Sequence, residues 1–276
     1  MKSSVVLYTL ATGKEEVVIA TDDLIEAPNW SVCGSYLVLN GNGLIYRLDL
    51  NGDGQLHQID TGDMTRCNND HGISPDGKTL VISDNGADGG SCIYTVPIEG
   101  GTPKRITEKT PSYWHGWSPD GQTLAYTARR DGVFNIFTIG IDGGDETQLT
   151  FGPGHRDGPD YTPDGNWIWF NSDHHGKTPD LWRMRTDGTG LEQMTDDASV
   201  NWFPHPSPTG DVVLYLAYPS DVEGHPRNKN VELKLMPAEG GQARTVARFN
   251  GGQGSINVPN WAPDGKRFAY VRYEKN

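Results

Sequence analysis

Short runs in which apolar and polar residues alternate recur along the whole chain. KTLVISD, QTLAYTA and NWIWFNS are three of them, and a period of two marks a strand with one face turned inward. Each is followed by a second such run, SCIYTVPI, VFNIFTIG or DLWRMR. A Gly-rich turn comes next (EGG, DGG or DGTG), and then a shorter polar–apolar run, TPKRIT, ETQLT or LEQMT. Runs of this length bounded by Pro, Asp, Asn and Gly predict strands joined by hairpins.

The same order of elements repeats. A landmark glycine closes NWSVCG at Gly34, HGISPDG at Gly77, HGWSPDG at Gly121, DYTPDG at Gly165, PHPSPTG at Gly210 and PNWAPDG at Gly265. The spacing stays near 44 residues until the last interval, which an insertion lengthens to 55. In SPDG the proline presets φ for a tight turn, and Asp-Gly tolerates the positive φ at its end. Strand units of about forty-odd residues are the size of a propeller blade. The last landmark is followed only by KRFAYVRYE, while the chain opens with the pair SSVVLYTL and KEEVVIA joined by ATG. Joining these ends supplies the strands that the last blade lacks and removes open edges. The expectation is an all-β fold: one six-bladed β-propeller over residues 1–276 with four antiparallel strands per blade. N- and C-terminal strands close the ring, so that blade six is shared between about 1–20 and about 255–276.

Composition supports this reading and narrows the partners. Glycine (35) and proline (18) are too frequent for long helices. They are too interspersed with Val, Ile, Tyr and Trp for a disordered chain. A net charge of −13 opposes nucleic acid and anionic membrane surfaces. Cys33, Cys67 and Cys92 form neither a disulfide framework nor a thiolate zinc motif. The N-terminus lacks the apolar stretch of a signal peptide, so a cytoplasmic location is expected, or a periplasmic or secreted one if a native leader is missing. No run of about 18 apolar residues predicts membrane insertion.

The repeated WSPDG followed by an apolar strand, with DGG and a terminal LT as in IDGGDETQLT, resembles the TolB-like propeller family and its Pro-Asp, WD-like repeat. The resemblance covers essentially the whole chain. It implies a propeller fold and two functional classes: binding scaffolds, and enzymes such as oligogalacturonate lyases.

In an up-and-down blade the SPDG and DGG turns lie on one face of the disc. The connections around 84–90, 128–132, 172–179 and 219–230 lie on the other, with the segments leading into each inner strand. Seven of the eight histidines belong to that second set: His71, His115, His155, His174, His175, His205 and His225. That face is therefore the candidate site. Aligned on the landmark turn, one position holds Pro28, His71, His115, Pro159, Pro204 and Pro259. His71 and His115 thus depart from proline in two adjacent blades, at the expected mouth of the central channel. One residue later, Asp160 and His205 add a carboxylate and an imidazole. Tyr113, Trp114, Trp202 and Phe203 offer flat surfaces nearby.

Two readings follow. Either these groups form a polar pocket, with His71, His115 and His205 able to hold a divalent metal such as Mn or Zn, or each histidine bonds a neighbouring blade and caps the channel. DLNGDGQLHQID has calcium-loop spacing at Asp49, Asn51, Asp53 and Asp60, yet it sits where other blades have a hairpin. Arg129, Arg130 and Arg156, with Arg66, Arg227 and Lys229, are candidate cations for a substrate carboxylate. Among the pair His174 and His175, adjacent side chains point opposite ways and do not naturally chelate one ion. No GxSxG, HExxH or Walker motif occurs. The leading expectation is a binding or interaction module that takes a small polar molecule, an oligosaccharide or a peptide on the histidine-rich face. The alternative is a metal-assisted lyase or hydrolase for acidic oligosaccharides.

Overall fold

A computed structural model describes residues 2–86, 90–174 and 178–274. Five sheets each contain four antiparallel strands in chain order from the axis outward. Blade 2 is typical: Cys67–Ile73 is innermost, followed by Thr79–Asn85, Ser91–Pro97 and the two-residue Lys104–Arg105. Among the described residues there is no α-helix. The second strand of each blade is buried on both faces, since blades stack on either side of it. Tyr36–Gly41 is buried at every position, as is Thr79–Asn85 except at its ends. The apolar clusters are therefore interblade seams, such as the one where Ala125, Ile136 and Leu149 meet Tyr161, Ile168 and Phe170.

The ring closes as expected. Arg267–Glu274 pairs antiparallel with Lys2–Thr9, from Lys2 opposite Glu274 to Thr9 opposite Arg267, and Lys14–Thr21 lies outside them. The innermost position of this blade is held by residues 255–261, which are less regular than the other inner strands. Pro259 lacks a ladder donor, and the segment is attached by one bridge, Trp261 to Phe268. Ala269 N also donates to Asn260 O at 2.9 Å, and Val271 N to Ser255 O at 3.1 Å.

A second ring reinforces the first. Every landmark glycine has positive φ, between 65° and 75°. Each also abuts the equivalent turn of the preceding blade: Gly77 faces Val32, Gly121 Pro75, Gly165 Pro119, Gly210 Pro163, Gly265 Thr209 and Gly34 Pro263. SPDG is thus both a turn and an interblade contact, which explains its repetition.

The calcium-loop spacing does not become a calcium loop. Asp49 pairs with Arg47 at 2.7 Å. Asp53 accepts from Gln55 N at 2.9 Å, and its carboxylate lies 3.2 Å from the His57 ring. Asp60 accepts from Gly62 N at 2.9 Å. The strand Leu56–Ile59 separates Asp60 from the turn holding Asn51 and Asp53, and four extended residues span about 13 Å.

Candidate functional site

Each of the five regular inner strands breaks register once against its neighbour. The breaks fall between Glu26 and Asn29, Cys67 and His71, Trp114 and Gly116, Asp157 and Asp160, and Trp202 and His205. Such bulges leave residues unpaired and re-aim their side chains. Here they turn polar residues towards the axis on the face opposite the landmark turns, where a cavity of about 970 Å³ opens. Asn69, Asp70, His115, Asp157, Trp202 and Phe203 are among its lining residues. The insertion after the blade-5 strand Val212–Tyr218 folds over one side, and residues 220–225 join the wall.

Hydrogen bonds knit the cavity base. The two ring nitrogens of His115 face acceptors, the Asn257 carbonyl at 3.2 Å and the Asp157 carboxylate at 3.1 Å. Asp157 also accepts from Gly158 N at 2.8 Å and lies 3.8 Å from the His225 ring. His225 in turn contacts the Gln253 side chain. Gln253 donates to Asn69 Oδ1 at 3.3 Å, and Asn69 donates to Glu26 Oε1 at 3.3 Å. Glu26 is paired with Arg227. Asp70 differs from all of these. It is 6% exposed and lines the cavity. Its N–H donates to Asn68, but its carboxylate has no hydrogen-bond or ion-pair partner among the described residues.

These contacts set the charges. Burial by itself would lower His115, but the Asp157 hydrogen bond and the charges of Asp70 and Asp157 outweigh it and raise it to about 9. Burial works against ionisation of Asp157, yet His115, followed by His225 and Thr127, lowers it to about 2. Burial pushes Asp70 up to about 7, with His115 opposing and Asp157 and Glu26 reinforcing the rise. The lining carboxylates are Asp70, Asp157, Asp173, Asp221 and Glu223. Arg156 is the one arginine among the described lining residues.

Of the residues singled out in the sequence, Tyr113, His115, His155, Arg156, Trp202 and Phe203 line the cavity, as does His225 from the wider histidine set. His155 accepts at Nδ1 from Phe134 N at 3.2 Å. Arg156 is fastened by its own loop, donating to the carbonyls of Phe151, Gly152 and Gly154 at 2.8–3.0 Å. The Trp202 ring lies 4.3 Å from that of His225.

The other candidates lie elsewhere. His71 is fully buried with its ring 3.2 Å from the Val38 carbonyl of blade 1, and burial lowers it to about 4. His205 and Asp160 bond each other at 2.9 Å, and His205 also reaches the Ile256 carbonyl at 2.6 Å. Both are buried in this contact, and neither is among the residues that line the cavity. His71, His115 and His205 are thus held in three separate hydrogen-bonding environments. Among the described residues no three His, Cys, Asp or Glu side chains gather as metal ligands. Trp114 is core, packed where a Cβ on Gly72 would lie 2.0 Å from its ring. Arg129 is exposed, with Nε bonded to Gly132 O at 3.2 Å. Arg130 grips Glu146 through two nitrogens at 2.8 and 3.0 Å. His174 sits beside Arg156 and Trp182, while His175 lies outside the described residues. No helix among the described residues is long and apolar enough to cross a membrane.

Asp70 and Asp157 are the residues that sequence reasoning missed. The signal was the polar run NNDHG and the glycine in RDGPDY, both marking bulges.

Comparison with known proteins agrees with the architecture. The family description of the TolB beta propeller domain matches residues 112–221. The uncharacterized protein Atu1656 of Agrobacterium fabrum is 53% identical over 273 residues, covering 99% of this chain and 93% of that protein. A solved Agrobacterium tumefaciens structure, provisionally described as TolB, superposes with a TM-score of 0.97 at 52% identity. It covers 100% of this chain and 99% of its own. The Tol-Pal system protein TolB of Francisella tularensis (strain WY96-3418) is 26% identical over 265 residues, 91% of this chain but 57% of that protein. An oligogalacturonate lyase in complex with manganese has a TM-score of 0.59 at 17% identity over 88% of this chain and 72% of that one, a likeness of fold alone. Half-identity sustained along nearly the full length of a relative leaves one assignment: the chain belongs to the TolB-like β-propeller family.

Proposed function

We propose that this chain, as a single propeller domain, is a binding module that seats a segment of a protein or peptide in the cavity on its open face. The observation that carries the reading is the cavity itself. Its volume of about 970 Å³ is at the upper end of the ~300–1,000 Å³ found for ligand sites. Its base is a fixed hydrogen-bond network, and its walls carry Tyr113, Phe134, Trp202 and Phe203. Rigid floor and aromatic walls are what a short inserted segment needs for orientation and burial. The cytoplasmic location expected from the N-terminal residues finds no support among the relatives, and a periplasmic one is compatible with them.

The lyase alternative is weaker on the same geometry. A uronate needs free cations, whereas Arg130 is committed to Glu146, Arg227 to Glu26 and Arg156 to backbone carbonyls. The exposed Arg129 does not line the cavity.

The test is selection of binders from a random peptide library, followed by mapping through amide chemical shifts. Selected peptides are expected to perturb Tyr113, Asp157 and His225 and to lose binding to Tyr113→Ala. Peptides that map to the blade rims and ignore that substitution refute the reading. So does turnover of oligogalacturonate to unsaturated products in the presence of manganese.

A further inference from the structure

We infer that the group recognised at the base of this cavity is an organic cation, an ammonium or guanidinium, received by the Asp70 carboxylate. This rests on the binding reading above and names the chemistry it selects.

The unpartnered carboxylate is the starting point. A buried carboxylate without a donor is unfavourable, and buried charges are ordinarily paired or hydrogen-bonded. Around Asp70 stand Tyr113 and His115 on the inner strand of blade 3, Asp157 on that of blade 4 and Glu26 on that of blade 1. None of them donates to it among the described residues. His115, the adjacent cation, has both ring nitrogens engaged by Asn257 and Asp157, and Arg227 is held by Glu26. The carboxylate faces the cavity, so its donor reaches it from that side: water in the free protein, and a cationic group when a ligand enters.

Three further features select a cation. The rim carries Asp173, Asp221 and Glu223, on a chain of net charge −13, so the field draws positive groups inward. Tyr113, Phe134, Trp202 and Phe203 line the same space, and aromatic rings attract ammonium and guanidinium groups. An anion would meet only cations that are already engaged, Arg156 by backbone carbonyls and His115 by Asn257 and Asp157. A bare divalent ion fits less well, since it needs several oxygen ligands and no cluster of three ligating side chains exists among the described residues. A lysine or arginine of a peptide and a free polyamine share this chemistry.

The full-length chain is titrated at low salt by calorimetry. One arm uses Gly-Gly-Lys-Gly-Gly and Gly-Gly-Arg-Gly-Gly with their acetyl-lysine and citrulline counterparts. The other uses cadaverine and spermidine. The cationic probes are expected to bind at least about tenfold more tightly than the neutral ones, the scale of a charge-assisted hydrogen bond. Asp70→Asn should lose that margin while its melting temperature is unchanged or higher. Tighter binding of the peptides identifies a protein partner, and tighter binding of the diamines a small amine. In the unaltered protein, affinity should also rise about tenfold from pH 6 to pH 8, because Asp70 at about 7 is mostly protonated at the lower value. This second measurement stands even if Asp70→Asn fails to fold. Equal binding of neutral probes, undiminished affinity in Asp70→Asn, or binding confined to anions or divalent metals overturns the inference. If neutral peptides bind equally well but Tyr113→Ala abolishes binding, the cavity reading survives and the cationic one falls. If no probe and no library peptide enters the cavity, both fall.

Discussion

Replacing Asp157 with asparagine isolates the electrostatics of the cavity base. The amide oxygen can still accept from His115 and Gly158, so shape and hydrogen-bond count are nearly preserved and the charge alone is removed. In the native chain His115 stands at about 9 against an ordinary 6.5. A group whose folded value is raised contributes stability that is fully present below 6.5 and lost as pH climbs through 9. Two and a half pKa units correspond to about 3 kcal/mol. Asp157, lowered to about 2, reports the same attraction from its other end, so the interaction is counted once. Without the carboxylate, burial prevails over what remains from Asp70 and the Asn257 carbonyl, and His115 falls to its ordinary value or below. The variant should therefore be less stable by about 2–3 kcal/mol near pH 7, and the deficit should shrink towards zero by pH 9.5. Asp70, already largely ionised above 7, contributes little slope in that window. Urea unfolding at several pH values, with the His115 ring followed by NMR, measures both quantities. Parallel stability curves for the two proteins between pH 7 and 9.5, or a native His115 titrating near 6.5, would refute the reasoning.

Three other outcomes follow from the same packing. His71, lowered by burial to about 4, holds stability that is present above 6.5 and lost as pH falls through 4. His71→Gln, which keeps a donor for the Val38 carbonyl, should flatten that acid limb by about 3 kcal/mol in chemical denaturation. Gly72→Ala drives a methyl to 2.0 Å from the Trp114 ring, so unfolding free energy should drop by about 2–3 kcal/mol, and an unchanged melting temperature would disprove the contact. Arg227→Ala leaves the buried Glu26 with Asn69 as its remaining donor, a loss of about 2 kcal/mol. The double substitution with Glu26→Gln should recover part of it in a double-mutant cycle.

The propeller was legible because its signals are local and repeated six times. Each SPDG-type turn fixes one φ-positive glycine and one interblade contact, so any single copy carries enough physics to be recognised. Ring closure was legible for a related reason: two strands without a blade stood at one end of the chain and a blade short of strands at the other. The irregular inner segment of the last blade was not, because 255–261 is held through side chains and isolated bonds rather than by a pattern with a period. The calcium spacing was outweighed by its hairpin place in the repeat, and the strand Leu56–Ile59 does carry Asp60 away from the turn.

The candidate cavity opens on the face the sequence pointed to, but only some of the candidate residues line it, and for His71 the reason is a single-residue register difference. His71 and His115 stand equally far from their landmark turns. Opposite the equivalent second-strand positions, however, the partner of Ile82 is His71, whereas the partner of Tyr126 is Trp114. In blade 2 the bulge ends before the histidine, which re-enters the ladder and points into the interblade core. In blade 3 the bulge is the histidine, which turns to the axis. A one-residue slip reverses which side of a strand a residue serves, so two identical words acquire opposite roles. The axis position that His71 vacates is filled by its predecessors Asn69 and Asp70, and in blade 4 by Asp157 ahead of its own bulge. The cavity accordingly carries carboxylates beside the imidazoles of His115, His155 and His225. Those carboxylates weigh against the acidic oligosaccharide of the alternative reading and underlie the cationic ligand inferred above.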